Sequence, residues 1–385
     1  MAMLVAEVVF WLSIAVVLYT YLGYPLLLAG CHLLWRRNPR KQDEGYEPTI
    51  SIVLAAYNEV QHIRRKIENC LGLEYPREKL QTLVGSDGSD DGTNEIVREY
   101  RDQGVELLAF HPRRGKMATV NRIVRAASGE ICVFSDISEL FEPDALRKLV
   151  RHFADAEVGL VTGNHVYNTK QTGLGMGTSF YWRFQRFLQG VESRLYTGCT
   201  CDGTIYACRR ELFPFPPENT INDDVAVPWG ILTHGERIVF EPEAIIRGDP
   251  LVETRRFLRQ KIRSQAGKYQ NFGQFPGMFR PWPLRRWWIF VSHCVLPTLV
   301  PWFLVLALAS NCVLWFSDQG LYRPALLLQA CFYLVAAVGC VTERLRIHVR
   351  FAAIPFYFVT ANVGSLCGFF SYVFGVQQVA WHKVE

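Results

Sequence analysis

The chain has 385 residues, with 41 Lys+Arg against 36 Asp+Glu, 50% hydrophobic and 20% charged. That balance excludes a disordered or low-complexity chain, which lacks apolar groups to bury, and eleven scattered cysteines at this length exclude a small disulfide scaffold. A net charge of +5 is weak for a nucleic-acid binder, which usually shows concentrated basic patches.

Residues 8–35 carry no charge. A helix needs about 20 apolar residues to cross the hydrocarbon core, so this run is long enough, with Pro25 a candidate kink. The basic cluster RRNPRK follows at 36–41. A cleavable signal peptide carries its positive charges before a shorter apolar run, so the order here favours an uncleaved anchor. Residues 1–35 are expected to form a transmembrane helix and 36–48 a basic linker.

The middle alternates. TISIVLAA at 49–56 is β-branched and too short for a helix, so it predicts a strand. Val60, Ile63, Ile67 and Leu71 recur at three- and four-residue steps and predict an amphipathic helix. LQTLVGS at 80–86 is a second strand, running into DGSDDGT, which is turn chemistry. Thr93 is the expected N-cap of a helix that stops at Gly104. VELLAF at 105–110 predicts a third strand, residues 116–127 a helix, EICVFSD at 130–136 a fourth strand, and Pro143 the start of another helix. Strands alternating with helices indicate an α/β fold with a doubly wound, mostly parallel sheet.

The second half of this domain, expected to cover 49–286, holds two further patterns. INDD at 221–224 precedes an apolar segment. Its acids either complement a helix dipole or place a general base. RRFLRQKIRSQAGKYQ is strongly basic, either as a helix at a membrane surface or as a phosphate-binding element, since arginine bonds phosphate bidentately. Uncharged runs at 287–317, 324–342 and 351–381 predict about three more spans within 287–385. Lysine and arginine near span ends favour the cytoplasmic side. Four single spans put the clusters at 36–41, 280–288 and 343–350 on that side together with the middle domain, and leave the tail outside. A re-entrant last run returns the tail to the cytoplasm. His293, Asn311 and Asn362 are polar within these runs, either bonding neighbouring helices or serving chemistry.

Open parallel sheets bind ligands beyond the carboxyl ends of their strands, where AYNE, DGSDDGT and SDISE fall. No G-x-G-x-x-G follows the first strand, and no P-loop occurs. Asp87, Asp90, Asp91 and Asp136, with Arg113, Arg114 and Lys116 nearby, suit a nucleoside diphosphate with a divalent metal, which takes one or two carboxylates plus phosphate oxygens. A solvated turn is the other reading of DGSDDGT.

AYNE, DGSDDGT, GKMATVN, SDIS, NDD and QKIRS occur in the order carried by inverting glycosyltransferase family 2. The chain resembles the membrane-anchored bacterial members of that family, relatives of the cellulose, chitin and hyaluronan synthases, over essentially its whole length. The resemblance implies a GT-A fold for the cytoplasmic domain, flanked by transmembrane helices in the inner membrane. It implies a UDP-sugar donor, a lipid-linked or glycan acceptor among membrane lipids, and Mg2+ or Mn2+ as cofactor. Under it, Tyr57 and Glu59 line the base, Asp87 bonds the uracil ring, and Lys116 and Asn121 lie beside the diphosphate. Asp136 and Ser138 take the two outer positions of the D-x-D metal motif. Asp224 is the general base, with Asp223 beside it. Gly203 and Thr204 lie near the acceptor end, and Gln260 and Arg263 match the Q-x-x-R-W motif.

Two positions depart from the pattern. Ser138 replaces an aspartate, and Glu139, one step on, points elsewhere on an extended backbone. Ser264 replaces the tryptophan of processive synthases, which favours a non-processive transferase over a polymer-secreting synthase. A non-catalytic membrane scaffold is a third reading, against which the intact acids Asp87, Asp136 and Asp224 argue. Cys199, Cys201 and Cys208 show no metal-ligand spacing and are read as reduced packing residues.

Overall fold

The computed structural model describes residues 1–34, 42–167, 173–248, 254–281, 283–317, 320–345, 347 and 349–376. The basic cluster at 36–41 and the tail after 376 lie outside the described residues. The chain opens with α1 (Ala2–Leu18), passes a π-helical turn at Tyr19–Gly23, and continues as α2 (Tyr24–Leu34). The turn abuts Pro25, whose missing N–H breaks the α-helical ladder.

Next come β1 (Ile50–Ala56), α3 (Ile63–Leu71), β2 (Leu80–Asp87), α4 (Thr93–Arg98), β3 (Val105–Phe110), α5 (Lys116–Ala126), β4 (Ile131–Ser135), β5 (Leu140–Phe141) and α6 (Ala145–Val150). Bounds differ from expectation in two helices: α3 starts at Ile63, which leaves Val60 before it and exposed, and α4 differs at both ends. α4 ends at Arg98, and a 3-10 turn at Arg101–Gln103 completes the path to Gly104. Thr93 is its first helical residue rather than its cap, because the Thr93 hydroxyl is spent on Asp91 and on the Glu59 N–H.

β6 (Val158–Tyr167), α7 (Gly173–Leu195), β7 (Ile205–Arg209), α8 (Asp223–Thr233), β8 (Arg237–Gly248) and α9 (Thr254–Gln274) follow. α10 (Leu284–Phe290), a second π-helical turn at Val291–Val295 and α11 (Leu296–Leu314) form one long apolar element, succeeded by α12 (Tyr322–Arg344) and α13 (Arg350–Val373). Among the described residues, four helical stretches are long and apolar enough to cross a membrane: Ala2–Leu34, Leu284–Leu314, Tyr322–Arg344 and Arg350–Val373.

The eight strands form one sheet in the order β3-β2-β1-β4-β7-β6-β8-β5. The half built from β1 to β4 is parallel, as the alternating sequence predicts. β7 runs antiparallel to both β4 and β6, β8 is parallel to β6, and β5 is antiparallel to β8. One apolar core joins α3, α4 and α6 to one sheet face. A second joins α5, α8 and α10 to the other face and runs on into the membrane helices through Phe290 and Cys294. The sheet domain and the apolar helices therefore share a core.

Candidate active site

Strand register decides what meets at the rim. Ala56 pairs with Ser86, and Leu54 with Ser135, so Tyr57, Asp87 and Asp136 leave the sheet at one edge. β7 is reversed, with Ile205 opposite Ser135. Its functional loop is therefore the one before it, and Asp202, Gly203 and Thr204 arrive at the same edge.

The AYNE and DGSDDGT loops are tied together. Asn58, in the left-handed region at φ 52°, donates to Asp90 at 2.9 Å and accepts its N–H at 3.1 Å. The Val60 N–H reaches Asp91 at 3.0 Å. Asp90 and Asp91 thus hold the loop pair in shape. Asp87, only 1% exposed, accepts the N–H groups of Arg114 at 2.8 Å and Gly115 at 2.9 Å, with Arg113 at 3.6 Å. Gly115 has φ +100°, a conformation that side chains avoid. The Arg113 guanidinium lies 3.5 Å from the centre of the Tyr57 ring. Asp87 therefore organises a basic loop beside Tyr57 and the buried Glu59.

The Lys116 ammonium links the two ends of the cleft. It lies 3.1 Å from Asp136 and 3.2 Å from Asp223. Burial opposes its charge, but the two carboxylates outweigh burial and hold it well above an ordinary lysine. Asp223 and Asp224 occupy the first turn of α8, where carboxylates complement the helix dipole. Gly203 presses on Asp224, since a Cβ there would stand 3.1 Å from the Asp224 Cβ. Burial first, and then the neighbouring Asp223 charge, push the Asp224 carboxyl up to about 7.

Helix α9 cradles the approach to this turn. Asn222, the residue before α8, donates to the Ser264 carbonyl at 2.7 Å and accepts from Asn271 at 3.4 Å. Gln270 brackets the same segment, accepting the Ile221 N–H and donating to Asn219 O, both at 2.9 Å. Gly267 is required where α9 crosses Asn222, because a Cβ would come within 2.5 Å of it. Arg263 reaches the Ile221 carbonyl at 3.5 Å, while Gln260, one turn earlier, is exposed.

The segment after β4 is pinned from behind. Lys66 is fully buried and donates to Ser135 Oγ at 2.7 Å and to Glu139 O at 2.6 Å. The Ser138 hydroxyl donates to Glu139 at 3.1 Å, and Glu139 in turn meets His165 at 3.0 Å. Glu139 is thus committed inward and does not replace the missing aspartate. The Asp136 side chain is 38% exposed, and the Ser138 oxygen keeps its lone pairs. One carboxylate and one hydroxyl suit a hard divalent cation that completes its shell with phosphate oxygens and water.

Other expected residues are placed differently. Asn121 donates to Pro216 O at 2.8 Å. It lies about 140° around α5 from Lys116, so it fastens the Pro-rich loop rather than flanking the lysine. Thr204 closes a turn on Asp202, with its hydroxyl 2.6 Å from that carboxylate. Lys66, His165, Asp202, Asn222, Gln270 and Asn271 were not singled out from the sequence. Of these, Asn222 stands inside NDD, Asp202 directly before Gly203, and Gln270 at the end of the basic run, so those patterns could have signalled them.

Residues 51–214 match the family described as Glycosyl transferase family 2. The chain is 26% identical over 230 residues to poly-beta-1,6-N-acetyl-D-glucosamine synthase of Staphylococcus epidermidis, covering 55% of this chain and 52% of that protein. It is 26% identical over 213 residues to the synthase of the same name from Staphylococcus aureus (strain COL), covering 51% and 48%. The match spans about half the length of these curated relatives. A mannosyltransferase from Pyrobaculum calidifontis, solved with GDP-Man and Mn2+, superposes with a TM-score of 0.70 at 24% identity, covering 93% of this chain and 99% of that one. The likeness shows the mixed α/β core to be of the GT-A kind.

Proposed function

Because residues 51–214 are a glycosyltransferase family 2 domain, we propose that the protein is an inverting transferase, moving a sugar from a UDP-sugar to a membrane-associated, lipid-linked glycan. One observation carries the reading. Lys116 joins Asp136, on the nucleotide side, to Asp223, the immediate neighbour of Asp224. The leaving-group end and the base end therefore belong to one cleft.

A sugar hydroxyl is a poor nucleophile at neutral pH, and a carboxylate in hydrogen-bond reach removes its proton during attack. Asp224 takes that proton as the acceptor oxygen bonds to the anomeric carbon. The bond from that carbon to the diphosphate breaks on the opposite face, and UDP departs with the electron pair. Gly203 leaves room for the acceptor against Asp224. Lys116 and the Arg113–Gly115 loop face the growing diphosphate charge, in the way preorganised cations stabilise a leaving group. Asp136 and Ser138 would hold a magnesium or manganese ion, which neutralises diphosphate charge when bound. Tyr57 with Arg113 over its ring supports the base. The catalytic unit faces the cytoplasm, where UDP-sugars are made, and the apolar helices anchor it in the cell membrane.

Asp224→Asn is expected to lower kcat about 10²–10⁴-fold while leaving UDP affinity near that of wild type. Transfer at the wild-type rate would remove Asp224 as the base. The names of the matched relatives favour a second reading, a processive synthase. Ser264 in place of tryptophan supports the non-processive one, and product length from purified protein with UDP-GlcNAc as the first donor separates them.

A further inference from the structure

Behind the Cys199 end of the loop that carries Gly203, four side chains with metal-ligating atoms converge from three distant stretches. Glu192 belongs to α7, Cys199 to the loop before β7, and His293 and Cys294 to the π-helical turn of the long apolar element. All four are buried. Ligand atoms of Glu192, Cys199 and His293 lie within 4.8 Å of one another. The Cys199 and Cys294 sulfurs are 3.2 Å apart, and His293 Nδ1 is 2.7 Å from Glu192 Oε1. We propose that Glu192, Cys199, His293 and Cys294 form a binding site for a divalent metal ion of the zinc class, fastening the loop before β7 to the membrane helix.

Three observations carry this beyond proximity. Glu192 Oε2 is buried without a hydrogen-bond partner, and such an oxygen costs free energy unless something binds it. The orienting partners that metal ligands require are also present. His293 Nε2 meets Gln185 Oε1 at 2.7 Å, which fixes the proton on Nε2 and turns Nδ1 toward the cluster. Tyr24 donates to Glu192 Oε1 at 2.6 Å and sets the carboxylate plane. Finally, one imidazole, one carboxylate and two thiols make a borderline-soft set of four, the number a closed zinc site takes.

The proton count balances. Cys199 and Cys294 meet as thiols, sulfur to sulfur, and one proton lies between His293 Nδ1 and Glu192. Binding a dication as two thiolates, one carboxylate and a neutral imidazole expels three protons. The sulfurs part to about 3.8 Å in a tetrahedral site with metal–sulfur bonds of about 2.3 Å. The Cys199 carbonyl already accepts from Trp229 of α8 at 3.0 Å, so the metal steadies the loop and α8 together. This inference does not depend on the transferase reading.

The test uses the full chain purified in detergent. Metal analysis is expected to find about one zinc per chain, and the cobalt-loaded protein a thiolate-to-cobalt charge-transfer band in the near ultraviolet. Titrating zinc into chelator-stripped protein in buffers of different ionisation heat should release about three protons per ion. Cys199→Ser and Glu192→Gln should lose the zinc, Gln185→Met should weaken binding about tenfold or more, and Cys312→Ser, an exposed cysteine elsewhere, should keep it. Two outcomes on wild-type protein alone overturn the proposal, whatever the variants do. One is no bound zinc in the presence of excess zinc. The other is a Cys199–Cys294 disulfide, seen as two fewer alkylated cysteines than the full eleven.

Discussion

Asp223 gives its carboxylate to Lys116 at 3.2 Å, whereas Asp224, one residue on, lies against Gly203. Adjacent acids in one helical turn thereby divide the work. Asp223 keeps the ammonium in place, and its charge helps raise the Asp224 carboxyl to about 7. A base must be unprotonated, so kcat/KM should fall tenfold per pH unit below about 7 and level off above it. Asp223→Asn removes a like charge, so the acid limb should move to lower pH, by about one unit for a contact of this kind. An unmoved limb would assign the titration to another group. The shift also has a sign for stability. An acid whose folded pKa is raised stabilises the fold fully only below its unfolded value, and that contribution is lost as pH rises through about 7. Asp224→Asn should therefore raise the melting temperature at pH 8 and leave it nearly unchanged at pH 4, even as kcat falls by the expected factor of about 10²–10⁴. Asp87 and Asp136 were legible in the sequence because they stand at strand ends of the parallel half, and Asp223 and Asp224 because two adjacent acids open an apolar helix. Lys66 and His165 were not, because each acts from the middle of an element whose pattern only announces core.

Helix α9 lies along α13 through glycine. A Cβ at Gly368 would stand 2.6 Å from Gln265 Cβ and 2.8 Å from Ile262 O, and one at Gly364 3.0 Å from Lys261 Cγ. Small residues four apart allow helix backbones to approach closely. The same α9 carries Gln270 and Asn271, which hold the segment before Asp224. Gly368→Leu should push α9 off α13 and displace that cradle. Because the base moves while the nucleotide loops do not, kcat should fall at least about tenfold with UDP affinity kept. Equal loss of both would mean general unfolding. This coupling explains what the sequence hid. α7 opens GLGMG, which reads as loop. Its glycine is instead a packing choice, since a Cβ at Gly177 would come within 2.4 Å of Tyr357 on α13. β7 was equally hidden. Five residues long and reversed in the sheet, it breaks the strand–helix alternation that revealed β1 to β4.

For the whole molecule, α13 differs from the other long apolar helices. α9 runs beside it in the same direction for about three turns. The Phe257 ring lies tilted 5.3 Å from Tyr357, Lys261 meets Gly364, Gln265 meets Gly368, and Tyr269 lies 5.1 Å from Phe369. α9 also carries Arg255, Arg256, Arg259, Arg263 and Lys268, and Arg255 and Arg259 are exposed. If α13 stood across the bilayer, α9 would stand beside it, with those guanidinium groups at hydrocarbon depth. A charged side chain there costs about 2.5–3.5 kcal/mol even on insertion scales, and no carboxylate on α9 offsets it, because the helix has none. With the domain on the cytoplasmic side as proposed, both helices instead fit the membrane interface, where arginines would meet lipid phosphates and α13 would bed its apolar face. On that topology Ala2–Leu34, Leu284–Leu314 and Tyr322–Arg344 would make three crossings, and the end of the chain would lie on the side of the sheet domain. A fluorescent protein fused after Glu385 in a bacterial host should therefore glow, and alkaline phosphatase fused at the same place should be inactive. Active phosphatase would make α13 a fourth crossing, carry the tail outside, and force α9 into the membrane beside it.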